Sequence, residues 1–311
     1  MKKILLTVAA LAFSAALVSA QDINAITEIY NNGANALSSG EKTEALKNFK
    51  DAFAQAVALG EEGAEIASNC KGVIPSIQLS IAKDLIKAAN YDEAVASLEE
   101  AIKIAGEYEA ADVIDEATTL IPQVFNQKGA DLLKEKNYAG AAEAFKKVVE
   151  LDPENGAAFL RLGQALSNDG ATEDAIAAFE KASEFGQQAN AVKQLANIYL
   201  KKAQAFIKEK NFKEGLEAAV KSGEYVESAN AFKLAASAAT SLKDNATAIA
   251  NYEKYLGISP DAKDANAIAF TIAALYQQAG NKAKALEFYT KVAGDATYGA
   301  QAKQLIEALN K

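Results

Sequence analysis

One spacing recurs seven times along this chain and constrains its fold more than any other feature. In LGQALSNDGATEDAIAAFEKA, Leu162 to Ala182, a small residue, Gly163, stands twelve positions before Ala175, while Phe179 follows four later and Ala182 seven later. The same register collects Gly33, Ala45, Phe49 and Ala52, then Ala82, Ala94, Leu98 and Ala101, then Gly129, Ala141, Phe145 and Val148. Beyond Ala182 it collects Ala203, Gly215, Ala219 and Ser222, then Ala236, Ala248, Tyr252 and Tyr255, and finally Ala273, Ala285, Tyr289 and Val292. Between the first two members of each set lie small or polar residues, as in Ser39-Gly40-Glu41, Asp169-Gly170-Ala171, Asp244-Asn245 and Gly280-Asn281. On both sides the apolar residues keep a helical period, so each segment reads as helix, turn, helix. The small residues then have a steric reason: where two antiparallel helices cross closely, a side chain larger than methyl pushes the backbones apart.

A supersecondary unit repeated in register is the mark of a stacked array, because one such unit cannot bury its own apolar face. The spacing resembles the tetratricopeptide repeat, over roughly residues 24 to 311, with residues 156 to 182 the best match. Asp152-Pro153 and Ser259-Pro260 stand where that family ends a unit. The resemblance implies an all-α protein, a right-handed α-solenoid of seven helix–turn–helix repeats whose first helices line a concave groove. The units are anchored near 26–58, 75–107, 122–154, 156–185, 196–224, 229–260 and 266–295 within a domain of residues 21–311. A last segment, 297–311, carries Ala302 and Leu305 at first-helix spacing with no second helix, and reads as a polar-faced cap.

The chain also departs from the family. The usual tryptophan is replaced, for example by Phe159, Tyr199 and Phe232, and anchor-to-anchor spacings are 49, 47, 34, 40, 33 and 37. The surplus at 61–71 and 107–120 is rich in Ala, Glu and Ile and reads as extra helix. Pro75 and Pro122 are expected to start a new helix or kink a long one. Gly60, Gly106, Gly186, Gly223 and Gly294 are expected as left-handed caps after second helices.

Residues 1–20 read as an export tag. Lys2 and Lys3 form a positive n-region, Ile4 to Val18 an apolar stretch, and Val18-Ser19-Ala20 a small-residue cleavage site, so cleavage after Ala20 and a periplasmic or secreted address are expected. No later segment is long and apolar enough to span a membrane. Removing the two tag lysines takes the net charge from −9 to −11, which argues against nucleic-acid or anionic-membrane binding. Histidine and tryptophan are absent and Cys70 is the single cysteine, which excludes histidine-based triads, imidazole metal sites and an intrachain disulfide. Cys70 reads as a buried small hydrophobe. Glu61-Glu62 and Glu99-Glu100 read as solvated surface, and Asn245 in "NAT" as a turn residue. No catalytic, cofactor-binding or metal-binding residue is expected, and the chain is read as a non-enzyme.

The resemblance also implies where a partner would bind. The family's groove positions fall here on Tyr30, on Leu79, Lys83 and Lys87, and on Asn126 and Lys134. Further along they fall on Leu160, Gln164 and Asn168, on Leu200, Gln204 and Lys208, on Lys233, and on Phe270 and Gln277. Five of these are lysines and none is acidic, in an acidic chain. The expected partner is therefore a protein or peptide with apolar side chains and a carboxylate or acidic residues. The alternative is a carbohydrate- or peptidoglycan-binding module, which needs exposed aromatic platforms; only Tyr30 and Phe270 project as aromatics. The partner's identity and the oligomeric state stay open.

Overall fold

The computed structural model describes residues 20–311. The export tag therefore lies outside the described residues, apart from Ala20, where the first helix begins. The described residues are helical throughout, without a strand, and divide into two compact units, one ending at Pro153 and the other spanning Glu154–Lys311. The division falls at Asp152-Pro153, where the sequence marks the end of a repeat.

The first unit contains three helix pairs. These are α1 (Ala20–Ser38) with α2 (Lys42–Ala58), α3 (Ala64–Lys87) with α4 (Tyr91–Glu107), and α5 (Ala111–Lys134) with α6 (Tyr138–Leu151). The second contains α7 (Gly156–Asp169) with α8 (Thr172–Ala182), α9 (Gln188–Lys208) with α10 (Phe212–Tyr225), α11 (Ala229–Ser241) with α12 (Asn245–Ile258), and α13 (Ala265–Gln278) with α14 (Lys282–Val292). A single helix, α15 (Gly299–Asn310), follows; its Ala302 is buried against the last core cluster, with Leu305 and Ile306 packed beside it.

One turn closes all seven pairs. At the end of each first helix a residue takes a left-handed conformation: Gly40, Ala89, Lys136, Gly170, Lys210, Lys243 and Gly280, with φ between 60° and 89°. The next residue returns its backbone N–H to a carbonyl five positions back, as in Glu41 to Ala36 (2.8 Å), Asn137 to Leu132 (2.9 Å) and Asn281 to Tyr276 (2.9 Å). This satisfies a helix-end carbonyl that would otherwise be orphaned. That same residue then caps the second helix; Asn137, Asp244 and Asn281 accept the N–H three positions on. One reversal thus ends one helix and starts the next.

The recurring positions are where the helices cross. Ala45, Ala94, Ala141, Ala175, Ala248 and Ala285 are fully buried, as are Ala82, Ala203, Ala236 and Ala273 on the partner helices. Phe49, Leu98, Phe145, Phe179 and Tyr289 fill the space between, each 2% exposed or less. Burying a side chain of this size contributes about 2–3 kcal/mol. Cys70 is also fully buried, beside Ile74 and Ile77 in the first core cluster, and burial pushes its thiol up to about 11.

The extra residues lengthen first helices. α3 and α5 each run 24 residues straight through Pro75 and Pro122, so neither proline starts a helix. Gly60 and Gly186 take the expected left-handed conformation, whereas Gly106, Gly223 and Gly294 do not. Gly106 lies inside α4, and Glu109 supplies the left-handed residue instead. Gly223 is buried within α10, where an added Cβ would meet Phe232 at 3.4 Å, an ordinary contact, so neither a turn nor a close approach requires glycine there.

Candidate partner-binding face

The groove positions projected from the sequence fall on α1, α3 and α5 in the first unit, and most of them are already engaged. Leu79 is 4% exposed and belongs to the core with Ala82 and Leu98, so it does not reach a partner. The Tyr30 ring packs edge-on against Phe49 with centroids 5.2 Å apart. Lys83 pairs with Glu116 at 2.7 Å, Lys87 with Asp84 at 3.6 Å, and Lys134 with Asp131 at 2.6 Å. Asp131 also accepts from the Tyr91 hydroxyl, and the bonds from Lys134 and Tyr91 hold its carboxyl below the ordinary range. Asn126 is half-buried and has an interaction within the chain.

These pairs set carboxylates beside the lysines of the expected basic groove in this unit. The projection counted charges only at groove positions, but carboxylates stand beside all three lysines. Asp84 and Asp131 lie one helical turn before Lys87 and Lys134, and Glu116 lies on the lengthened part of α5.

In the second unit the projected residues divide differently. Lys233 is tied to Asp264, which also accepts from Tyr255; these two bonds, Lys233 first, lower the Asp264 carboxyl. Phe270 packs against Tyr289 and Tyr298, with centroids 5.3 and 5.4 Å away, and Gln277 accepts from the Tyr289 hydroxyl at 2.9 Å. Leu160 lies partly buried against the cluster of Ile176, Phe179, Leu195 and Ile198, which joins α7, α8 and α9. Gln164, half-buried, and Asn168, Gln204 and Lys208, exposed, make no side-chain hydrogen bond or ion pair with any described residue. The uncommitted polar groups of the projected set therefore gather on α7 and α9.

A cleft of about 450 Å³ lies beside this face and was not read from the sequence. Lys193, Asn197 and Leu200 of α9 line it, together with Ser222 of α10, Val226 and Ser228 in the link to α11, and Asn230 in the first turn of α11. Its origin is visible in the anchor spacing of 40 between Ala175 and Gly215. Whereas α7 and α11 begin seven residues before their small residues Gly163 and Ala236, α9 begins fifteen before Ala203. The two added turns carry Lys193.

Among the described residues, no group of three or more Cys, Asp or Glu side chains could hold a metal ion, and no helix is long and apolar enough to cross a membrane.

A tetratricopeptide repeat family model matches residues 132–198. A search of curated proteins returns no match. Among solved structures, the chain is similar to a crystal structure of MamA protein at 21% identity, over 59% of this chain and 96% of that one, with a TM-score of 0.35. It is also similar to TTC0263, a thermophilic TPR protein of Thermus thermophilus, at 15% identity over 60% and 98% of the two chains, TM-score 0.27. A third is YrrB, described as a TPR protein with an unusual peptide-binding site, at 17% identity over 58% and 91%, TM-score 0.32. Residues 132–198 thus match the tetratricopeptide repeat family, and they lie within a run of seven helix pairs closed by one repeated turn.

Proposed function

We propose that this protein is an exported, non-catalytic scaffold that holds a protein or peptide partner on the α7 and α9 face of its second unit. The observation that carries the reading is the set of uncommitted side chains there, Gln164, Asn168, Gln204 and Lys208. A carboxamide offers both a donor and an acceptor, which matches the two polar groups of a peptide unit. Mounted on helices that share one core cluster, these groups lose little freedom when a partner arrives. Export is supported by Lys2, Lys3, the apolar stretch to Val18 and the small residues before Gln21. A glycan-binding reading gains less support, because the two aromatics projected into the groove pack against neighbouring rings.

The test is a quantitative pull-down from envelope extract with the mature chain and with a variant carrying Gln164→Ala, Asn168→Ala, Gln204→Ala and Lys208→Glu, both shown to be fully helical by circular dichroism. Proteins retained by the first and lost from the second support the reading; the same catch from both overturns it. Mass spectrometry of the mature N-terminus tests export, with Gln21 as the expected first residue.

A further inference from the structure

We infer that the cleft between α9 and α11 binds an extended peptide segment through an acidic side chain, a site that rests on the scaffold reading and adds a ligand chemistry to it. Three observations point the same way. The cleft volume, about 450 Å³, lies within the range of ligand-binding clefts. Ser222 and Ser228 are spent within the chain, on the Ala196 carbonyl and the Ala231 N–H, but three other polar groups are not: Lys193 has no ion pair with any described residue, and the carboxamides of Asn197 and Asn230 make no hydrogen bond with one.

The third observation is charge. The chain carries nine more acidic than basic residues, yet no carboxylate lines this cleft. Three other clefts each contain carboxylates: Asp84 beside Lys42, Glu253 and Glu287 beside Lys284 and Lys291, and Asp131 and Glu135 beside Lys134. In those the lysines are already paired within the chain. Lys193 is an ammonium left without a counter-charge in a walled recess, so an incoming carboxylate gains an ion pair without displacing one.

The placement of the amides sets the rest of the ligand. Asn197 lies one helical turn beyond Lys193 on α9, and Asn230 stands on α11 opposite. Carboxamides on both helices suit a backbone that passes between them, so the carboxylate is carried by a side chain rather than by the chain end. Leu200 and Val226 supply apolar surface for a neighbouring side chain.

The experiment uses the full chain, labelled with nitrogen-15, and three probes: the blocked peptide Ac-Ala-Leu-Asp-Leu-Ala-amide, its Asn counterpart, and Ac-Ala-Leu-Ala-Leu-Ala with a free carboxyl terminus. The expected result is that the Asp peptide shifts the side-chain amide signals of Asn197 and Asn230, that the Asn peptide binds at least tenfold more weakly, and that Lys193→Glu abolishes the preference. Lys193 is outside the buried core, so that variant should fold normally. Equal binding of the Asp and Asn peptides, tighter binding of the free-terminus peptide, or an unchanged preference in the variant each overturns the inference. Shifts confined to Gln164 and Gln204 refute this site while leaving the scaffold reading intact; no shift at any of these amides, together with an unchanged pull-down, refutes both.

Discussion

The ring of Phe179 lies directly over Gly163, so close that a Cβ on the glycine would stand 2.8 Å from the ring's Cδ1. Phe179 is 1% exposed and has nowhere to retreat. Gly163→Ala should therefore destabilise the protein by about 1–3 kcal/mol through overpacking, even though alanine is the better helix former. Gly72, inside α3, has open space around it, and Gly72→Ala should stabilise by about 0.5–1 kcal/mol. Urea unfolding of the two variants gives opposite signs if the ring contact decides, and the same sign if propensity alone does.

The repeated turn makes a second prediction. Four of its seven left-handed positions hold Ala89, Lys136, Lys210 and Lys243, which adopt φ near 60° at a cost of about 1–2 kcal/mol each. Lys136→Gly should recover on the order of 1 kcal/mol, and Gly170→Ala should lose a similar amount. Thermal unfolding monitored at 222 nm checks both.

Cys70 predicts a pH dependence. Its thiol titrates near 11 in the folded chain and near 9 when unfolded, so the folded state holds a proton that the unfolded state has lost between those values. The contribution is fully present below about pH 9 and declines as pH rises to about 11. Stability measured from pH 8 to 11 should fall more steeply for the wild type than for Cys70→Ala, and a thiol reagent at pH 8 should react only after denaturant is added. Parallel curves, or rapid reaction of the native protein, would contradict the burial.

The engaged lysines of the first unit should be silent in binding. Changing Lys83, Lys87 and Lys134 to Ala breaks exposed ion pairs, which contribute little, and should leave the melting temperature unchanged. Capture of partners from an extract should also be unchanged, whereas Gln164→Ala with Gln204→Ala should reduce it.

Much of the fold was legible because it is written in short-range spacing. The register from Gly163 to Ala182 reports a helix crossing directly, since small residues stand at Gly163, Ala175 and Ala182 with Phe179 filling the space between, and all four are buried as the spacing requires. The left-handed positions at Lys136, Lys210 and Lys243 were hidden because a backbone hydrogen bond, rather than a residue type, selects them. Glycine misled for the complementary reason: Gly106 and Gly223 sit in helices, where the residue type does not set the conformation. The charge around the projected lysines was not legible, because Glu116 reaches Lys83 from 33 residues away and Asp264 reaches Lys233 from 31. The cleft at Lys193 needed the length of α9, which the spacing of 40 implied without saying which face the added turns would present.

Alanine is the commonest residue of the buried core, at the helix crossings and beyond them. An alanine has no rotamers to lose, so ordering these crossings forfeits backbone freedom and almost nothing else. It also hides little apolar surface, and the heat capacity of unfolding grows with the apolar surface exposed. The stability of this protein should therefore vary gently with temperature, with a heat-capacity increment per residue below the usual 12–15 cal/mol/K or so, which places its resistance to cold and to heat in the same methyl groups that let its helices touch.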